Sequence, residues 1–240
     1  MLRIFVSKSV GSVVKNINLK KKIQEINKRI EKAARKSDRS PSDITLIAAS
    51  KYVNSNELKV AIENGIRHVG ENRAKKLVSL YNDIGNLVIW HFIGHLQSRK
   101  AKLVVPIVEY IHSIDSISTI KEIDKRARNI NKIQKILIEV NISGEGTKYG
   151  IEPNSLIDFI KEIIGYKNIK IVGLMTMAPL TNDMSICRRI FKELREHKDI
   201  VNRIYLNLSL KHLSMGMSND FEVAIEEGST MVRIGSVIFK

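Results

Sequence analysis

From Ile44 onward the chain alternates short aliphatic runs with longer segments whose apolar residues recur every three to four positions. Compact runs of branched aliphatic residues between turn residues read as buried parallel strands, and the 3.6-residue recurrence reads as amphipathic helix. The pattern predicts strands at Ile44–Ala49, Arg67–Gly70, Val88–Ile93, Tyr110–Asp115, Lys135–Ile142, Lys170–Thr176, Lys211–Met215 and Val232–Gly235. Helices are expected to start near Ser55, Asn72, Gln97, Ser116, Asn154, Asp183 and Asn219. Side-chain acceptors in Asn54-Ser55-Asn56-Glu57, Pro153-Asn154 and Asn219-Asp220 suit helix N-termini, and Gly65 suits a left-handed C-cap.

Strands that each precede a helix predict a closed (β/α)8 TIM barrel. After the eighth strand only Lys240 follows Phe239, so no eighth helix is expected. Upstream, Lys20–Arg35 places Ile23, Ile26, Ile30 and Ala33/Ala34 at helical spacing, and this N-terminal helix is expected to cover the gap. The alternative is an open doubly wound sheet, which the missing Gly-rich turn after the first strand disfavours. No linker, low-complexity tract or repeat argues for a second domain. Residues 19–240 are therefore read as one barrel domain and residues 1–18 as a poorly ordered basic extension. No acidic residue precedes Glu25, a feature shared with organellar transit peptides.

Charge and cysteine content narrow the setting. The net charge is +15, which attracts polyanions without selecting among them. The basic residues are spread along the chain and read as solvated helix faces, with no nucleic-acid motif behind them. Cys187 is the single cysteine, so an internal disulfide is excluded, and it reads as a packing residue. No apolar run reaches the ~18 residues of a membrane span. A cytoplasmic protein is expected.

The reactive face of such a barrel is the C-terminal end of its strands. There the first strand runs into Ala49-Ser50-Lys51-Tyr52, which sets an amine at the barrel mouth. Partial desolvation is expected to leave more of that amine neutral and nucleophilic. A lysine snorkelling to water is the ordinary alternative. Gly70-Glu71-Asn72-Arg73 ends the second strand. Leu213-Ser214-Met215-Gly216-Met217-Ser218-Asn219-Asp220 ends the seventh, a small-residue turn entering a helix, and Met231-Val232-Arg233-Ile234-Gly235-Ser236 ends the eighth. The loops after strands seven and eight form the usual phosphate site of this fold. His91 and His95 flank Gly94 at a strand end rather than on a helix, so a zinc site is given little weight, and no metal is expected. Ser50 and Lys51, as neighbours on an extended chain, diverge and make a poor Ser–Lys hydrolase pair.

Together with Trp90-His91-Phe92-Ile93-Gly94, Leu96-Gln97 and Gly173-Leu174-Met175, these segments resemble, in order from about Leu19 to Phe239, the pyridoxal phosphate homeostasis protein family. The resemblance implies a barrel related to the N-terminal domain of alanine racemase and pyridoxal 5′-phosphate (PLP) held as a Schiff base on Lys51. It further implies that Ser214, Gly235 and Ser236 hold the phosphate, that Arg233 faces the pyridine nitrogen and that Asn72 lies beside the ring. Ser236 stands where the family usually has threonine, and His95 and Arg99 depart from the usual loop.

An arginine is always protonated and cannot take a proton from a pyridinium, so Arg233 implies an unprotonated ring and a weak electron sink. Racemisation also needs acid/base groups on both faces of the substrate carbon. The chain ends after the eighth strand, without the C-terminal domain that supplies one of them in racemases, and Tyr52 is expected to point away. The reading is therefore a monomeric PLP carrier in cofactor homeostasis, passing PLP to apo-enzymes, without efficient catalysis. The alternatives are an amino-acid racemase and a basic nucleic-acid-binding protein.

Overall fold

The computed structural model describes residues 2–146 and 149–240, with residues 2–15 described by their backbone alone. Eight parallel strands close into a barrel in sequence order, β1 Thr45–Ala49, β2 His68–Glu71, β3 Ile89–Phe92, β4 Tyr110–Ile114, β5 Gln134–Glu139, β6 Ile169–Met175, β7 His212–Ser214 and β8 Met231–Ile234. Closure is made by β1 on β8, with Leu46 opposite Val232 and Ala48 opposite Ile234. The open-sheet alternative is thereby excluded.

The outer layer comprises α1 Leu2–Lys36, α2 Ser55–Glu63, α3 Ala74–Ile84, α4 Ala101–Val104, α5 Ile117–Asn129, α6 Leu156–Ile163, α7 Met184–Ile204, α8 Phe221–Glu226 and α9 Ser236–Phe239. The side-chain cap expected at the start of α2 forms, as a capping box: Asn54 Oδ1 accepts from Glu57 N–H, and the Glu57 carboxylate accepts from Asn54 N–H. Gly65 follows α2 at φ +100°, the conformation a left-handed cap requires. Two other expected caps differ. Pro153–Ser155 forms a 3-10 turn without a side-chain cap, and Asp220 turns back to accept from Met217 N–H at 2.5 Å instead of capping α8.

One expectation at the end of the chain is corrected. A single turn, α9, does follow β8, because the four residues Ser236–Phe239 suffice for one helical turn whose N–H groups bond back to Gly235 and Ser236. Upstream, α1 runs through residue 18 as one helix. As expected, Ile23, Ile26, Ile30, Ala33 and Ala34 of α1 are buried. The helix is tied to α8 by the forked Arg29–Glu222 pair at 2.8 and 2.9 Å and by Lys36–Glu226 at 2.7 Å. It thus covers the seam where β8 meets β1.

Because α1 joins the core through that stripe, Ile26→Ala is expected to cost ~2–5 kcal/mol of unfolding free energy in denaturant titration. A loss below about 0.5 kcal/mol, the level of a surface change, would show that α1 is not part of the cooperative unit.

Apolar packing divides into two clusters. The larger lies between strands and helices. A smaller one, Ile47, Leu137, Val172, Met175 and Met231, fills the barrel interior. Strand alternation carries polar residues inward beside it, and one of their bonds crosses the barrel: His112 on β4 meets Ser214 on β7. No helix among the described residues is long and apolar enough to cross a membrane.

Candidate functional site

At the C-terminal ends of β1 and β8 a cavity of about 570 Å3 opens between the turns after β1, β6, β7 and β8. That volume suits a small ligand. Four of the six residues singled out from the sequence line it: Lys51, Arg233, Gly235 and Ser236. Asn72 and Ser214 do not.

Lys51 stands two residues beyond β1, in a turn pinned from below. The buried Glu71 carboxylate accepts from Ser50 Oγ at 2.7 Å and from the N–H groups of Asn72 and Arg73 at 2.8 and 2.9 Å. Lys76 Nζ donates to Ser50 O at 2.6 Å, and the Arg73 guanidinium donates to Lys51 O at 3.0 Å. The backbone carrying the amine is therefore fixed while its side chain is exposed, where partial desolvation was expected.

The expectation for Tyr52 is also corrected. The strand pairing ends at Ala49, so strand alternation no longer governs the next residues, and Tyr52 lines the cavity at 72 % exposure. Lys51 Nζ lies 5.2 Å from its ring centroid and Lys240 Nζ 5.8 Å, both within cation–π range.

Arg233 enters from β8 and is 5 % exposed. It donates to Ser214 Oγ at 2.5 Å and to Thr176 O at 3.0 Å. Burial pushes its guanidinium down to about 10, against the opposing pull of Glu139 and Asp220, so it remains a cation at neutral pH. It can then only donate, and a ligand atom meeting it must be an acceptor. Ser214, expected at a phosphate, is an inward residue of β7 and lies fully buried beneath Arg233. The residues of that turn that reach the cavity are Met217, Ser218 and Asn219.

Asn72, at the end of β2, packs against Gly94, where an added Cβ would come within 2.4 Å of Asn72 O. Its Oδ1 is buried and has no hydrogen-bond partner among the described residues. Such an acceptor costs about 1–3 kcal/mol unless a donor reaches it. His95 sits at the rim of the same face, 3.3 Å from Asp115 and stacked on Tyr149 with centroids 3.8 Å apart. Cys187 is buried in α7 within the larger core cluster and also borders the cavity. No group of three or more His, Cys, Asp or Glu side chains is arranged to hold a metal among the described residues.

Glu139, at the end of β5, was not singled out from the sequence. It is 3 % exposed, and burial followed by the nearby Asp115 pushes its carboxyl from 4.5 to about 7, with Arg233 opposing. A carboxyl whose folded value is raised binds its proton more tightly in the folded state. Stability is then present below the unfolded value and falls as pH rises from about 4.5 to about 7, by about 3 kcal/mol in all. Glu139→Gln is expected to flatten that decline in unfolding titrations. An unchanged slope between pH 5 and 7 would remove Glu139 as its source.

The chemistry of this donor set fits PLP: one amine for an aldehyde, one fixed cation that must meet an acceptor, and small-residue turns with hydroxyls for a phosphate. The comparisons point to the same group. Residues 23–240 match the family described as alanine racemase, N-terminal domain. The pyridoxal phosphate homeostasis protein of Aquifex aeolicus is 41% identical over 224 residues, covering 93% of this chain and 98% of that one. Its counterpart in Synechocystis is 34% identical, over 83% of this chain and 92% of its own. Among solved structures, PipY of Synechococcus elongatus with PLP bound has a TM-score of 0.78 at 29% identity, covering 88% of this chain and 100% of that chain. By sequence and fold alike, this chain belongs to the pyridoxal phosphate homeostasis protein family, built on the alanine racemase N-terminal barrel.

Proposed function

We propose that the protein binds PLP in the cavity at the ends of β1 and β8, holds it as a Schiff base on Lys51, and serves as a reversible store from which apo-enzymes are supplied. The observation that carries this reading is the meeting of Lys51, Arg233, Gly235 and Ser236 around one cavity of about 570 Å3. The aldehyde supplies a carbon that Lys51 Nζ attacks: a C=N bond forms, the carbonyl oxygen leaves as water, and hydrolysis reverses both changes. Ser236 and Gly235 would hold the phosphate with Ser218 and Asn219 of the facing turn, and Arg233 would donate to the ring nitrogen. Lys51 is exposed at an open rim, which suits exchange with amines in solution.

Cytoplasmic action as a monomer accords with this role. The test is transfer: protein loaded with PLP, freed of unbound cofactor, is mixed with an apo-transaminase. Activation at the rate of PLP release or faster supports the store. Retention of PLP with no activation over hours contradicts it.

Racemisation is the second reading, favoured by the placement of Tyr52 in the cavity beside Lys51. Both groups, however, come from one turn and so from one wall, whereas racemisation needs proton transfer on opposite faces. Turnover of L- or D-alanine is expected at background. Comparable turnover of the two enantiomers would establish the racemase.

A further inference from the structure

A line of hydrogen-bonded side chains crosses the barrel interior below the cavity, and the proposed handling of PLP leaves it unused. Ser214 Oγ lies 2.5 Å from an Arg233 nitrogen and 2.8 Å from His112 Nδ1. His112 Nε2 lies 2.9 Å from His91 Nδ1, and His91 Nε2 lies 3.0 Å from His68 Nδ1. Ser214, His91 and His112 are fully buried. Tyr110 stacks on His91 at 4.8 Å with the rings 7° from parallel, so that ring has little freedom to turn.

Counting donors fixes the direction of the line. A guanidinium has hydrogens and no acceptor, so Ser214 Oγ accepts from Arg233. The hydroxyl has one hydrogen of its own, and His112 Nδ1 is the other polar atom bonded to it among the described residues. A proton on His112 Nδ1 would leave that hydrogen buried without an acceptor, which is costly. Nδ1 of His112 therefore accepts and Nε2 carries the proton. The same requirement passes to His91, which accepts at Nδ1 and donates from Nε2 to His68. Burial, assisted by Arg233 beside His112 and by the neighbouring histidines, holds His91 and His112 well below the usual histidine range, in keeping with neutral rings.

We propose that His112, braced by His91, is a positioning residue for Arg233: it draws the Ser214 hydrogen away from the cavity and so presents a Ser214 lone pair that holds the guanidinium in place. Its bearing on PLP rests on the function proposed above, while the tautomers belong to the protein alone. One consequence is that Ser214 has no hydrogen left for a phosphate in the cavity, which leaves that task to the turns after β7 and β8.

Two measurements decide this. In ligand-free protein carrying 15N-histidine, NMR should show His91 and His112 as neutral Nε2–H tautomers, with bare Nδ1 atoms, from pH 6 to 8. An Nδ1–H tautomer or an imidazolium at either position at pH 7 overturns the proposal. In PLP-loaded protein, His112→Asn keeps an acceptor near the place of Nδ1, whereas His112→Phe keeps the bulk and removes the acceptor. His112→Phe should shift the absorbance band of the bound cofactor and speed its release about tenfold, and His112→Asn should restore release to within about threefold. Equal behaviour of the two variants overturns the proposal. If His112→Phe fails to fold, the NMR tautomers decide alone. If the unaltered protein takes up no PLP, the proposed function fails and the NMR measurement still decides the tautomers.

Discussion

Lys51→Ala is expected to abolish covalent retention of PLP and to weaken its equilibrium binding by roughly 10²-fold or more, about 3 kcal/mol. The other contacts available to the cofactor, Ser236, Gly235, Arg233 and the turn after β7, are non-covalent and survive the substitution. Stability should stay within about 0.5 kcal/mol, because the Lys51 side chain is exposed and its ring contact with Tyr52 is at the surface. Measurement of PLP binding by absorbance, alongside a thermal melt, separates the two effects. Binding as tight as in the unaltered protein would make the phosphate turns the anchor and Lys51 incidental.

The second large effect is expected at Arg233. Arg233→Met removes a buried cation that faces Glu139 and Asp220 and that supplies hydrogen bonds to Ser214 and Thr176. Breaking a buried charge constellation from one side costs ~3–5 kcal/mol, since the remaining charges and acceptors are left uncompensated. The loss should depend on pH in a definite sense. Burial raises both carboxyls in the folded protein, to about 7 for Glu139, and Arg233 pulls both down. Without Arg233 they rise further. Groups raised in the folded state contribute stability below their unfolded values and lose it as pH climbs through the folded ones. The destabilisation by Arg233→Met should therefore be larger at pH 8 than at pH 5. Equal losses at the two pH values, by denaturant titration, would show that packing rather than charge explains the effect.

The barrel was legible in the sequence because its signal is local. Runs such as Ile136-Leu137-Ile138 mark strands wherever they fall, and the spacing of Ile23, Ile26 and Ile30 marks α1 without reference to the rest of the chain. What the sequence hides is the course of the chain beyond a strand's end and the direction of each side chain near it. The first strand was ended at Ala49, as the pairing has it, but Tyr52 was expected to point away, whereas the residues after Ala49 turn, which brings Tyr52 to the cavity and leaves Lys51 exposed. Ser214 was placed within the predicted strand Lys211–Met215, where the structure also has it, but nothing local in the sequence shows that its side chain faces inward beneath Arg233. Met217, Ser218 and Asn219, a few residues further on, are the turn residues that reach the cavity. The histidine line is invisible to any spacing rule, since His91, His112 and Ser214 meet only because three strands face one barrel interior. Glu71 carried a local hint, lying between Gly70 and Asn72, but its anchoring of Ser50 is a contact between strands.

The central claim is a covalent bond to one named amine. Protein loaded with PLP is reduced with borohydride, digested and mapped by mass spectrometry. The account predicts the loss of the cofactor's absorbance band on reduction and a single major phosphopyridoxyl adduct on Lys51. Modification concentrated on another lysine, such as Lys240 at the opposite lip of Tyr52, or no stable adduct at all, would contradict it.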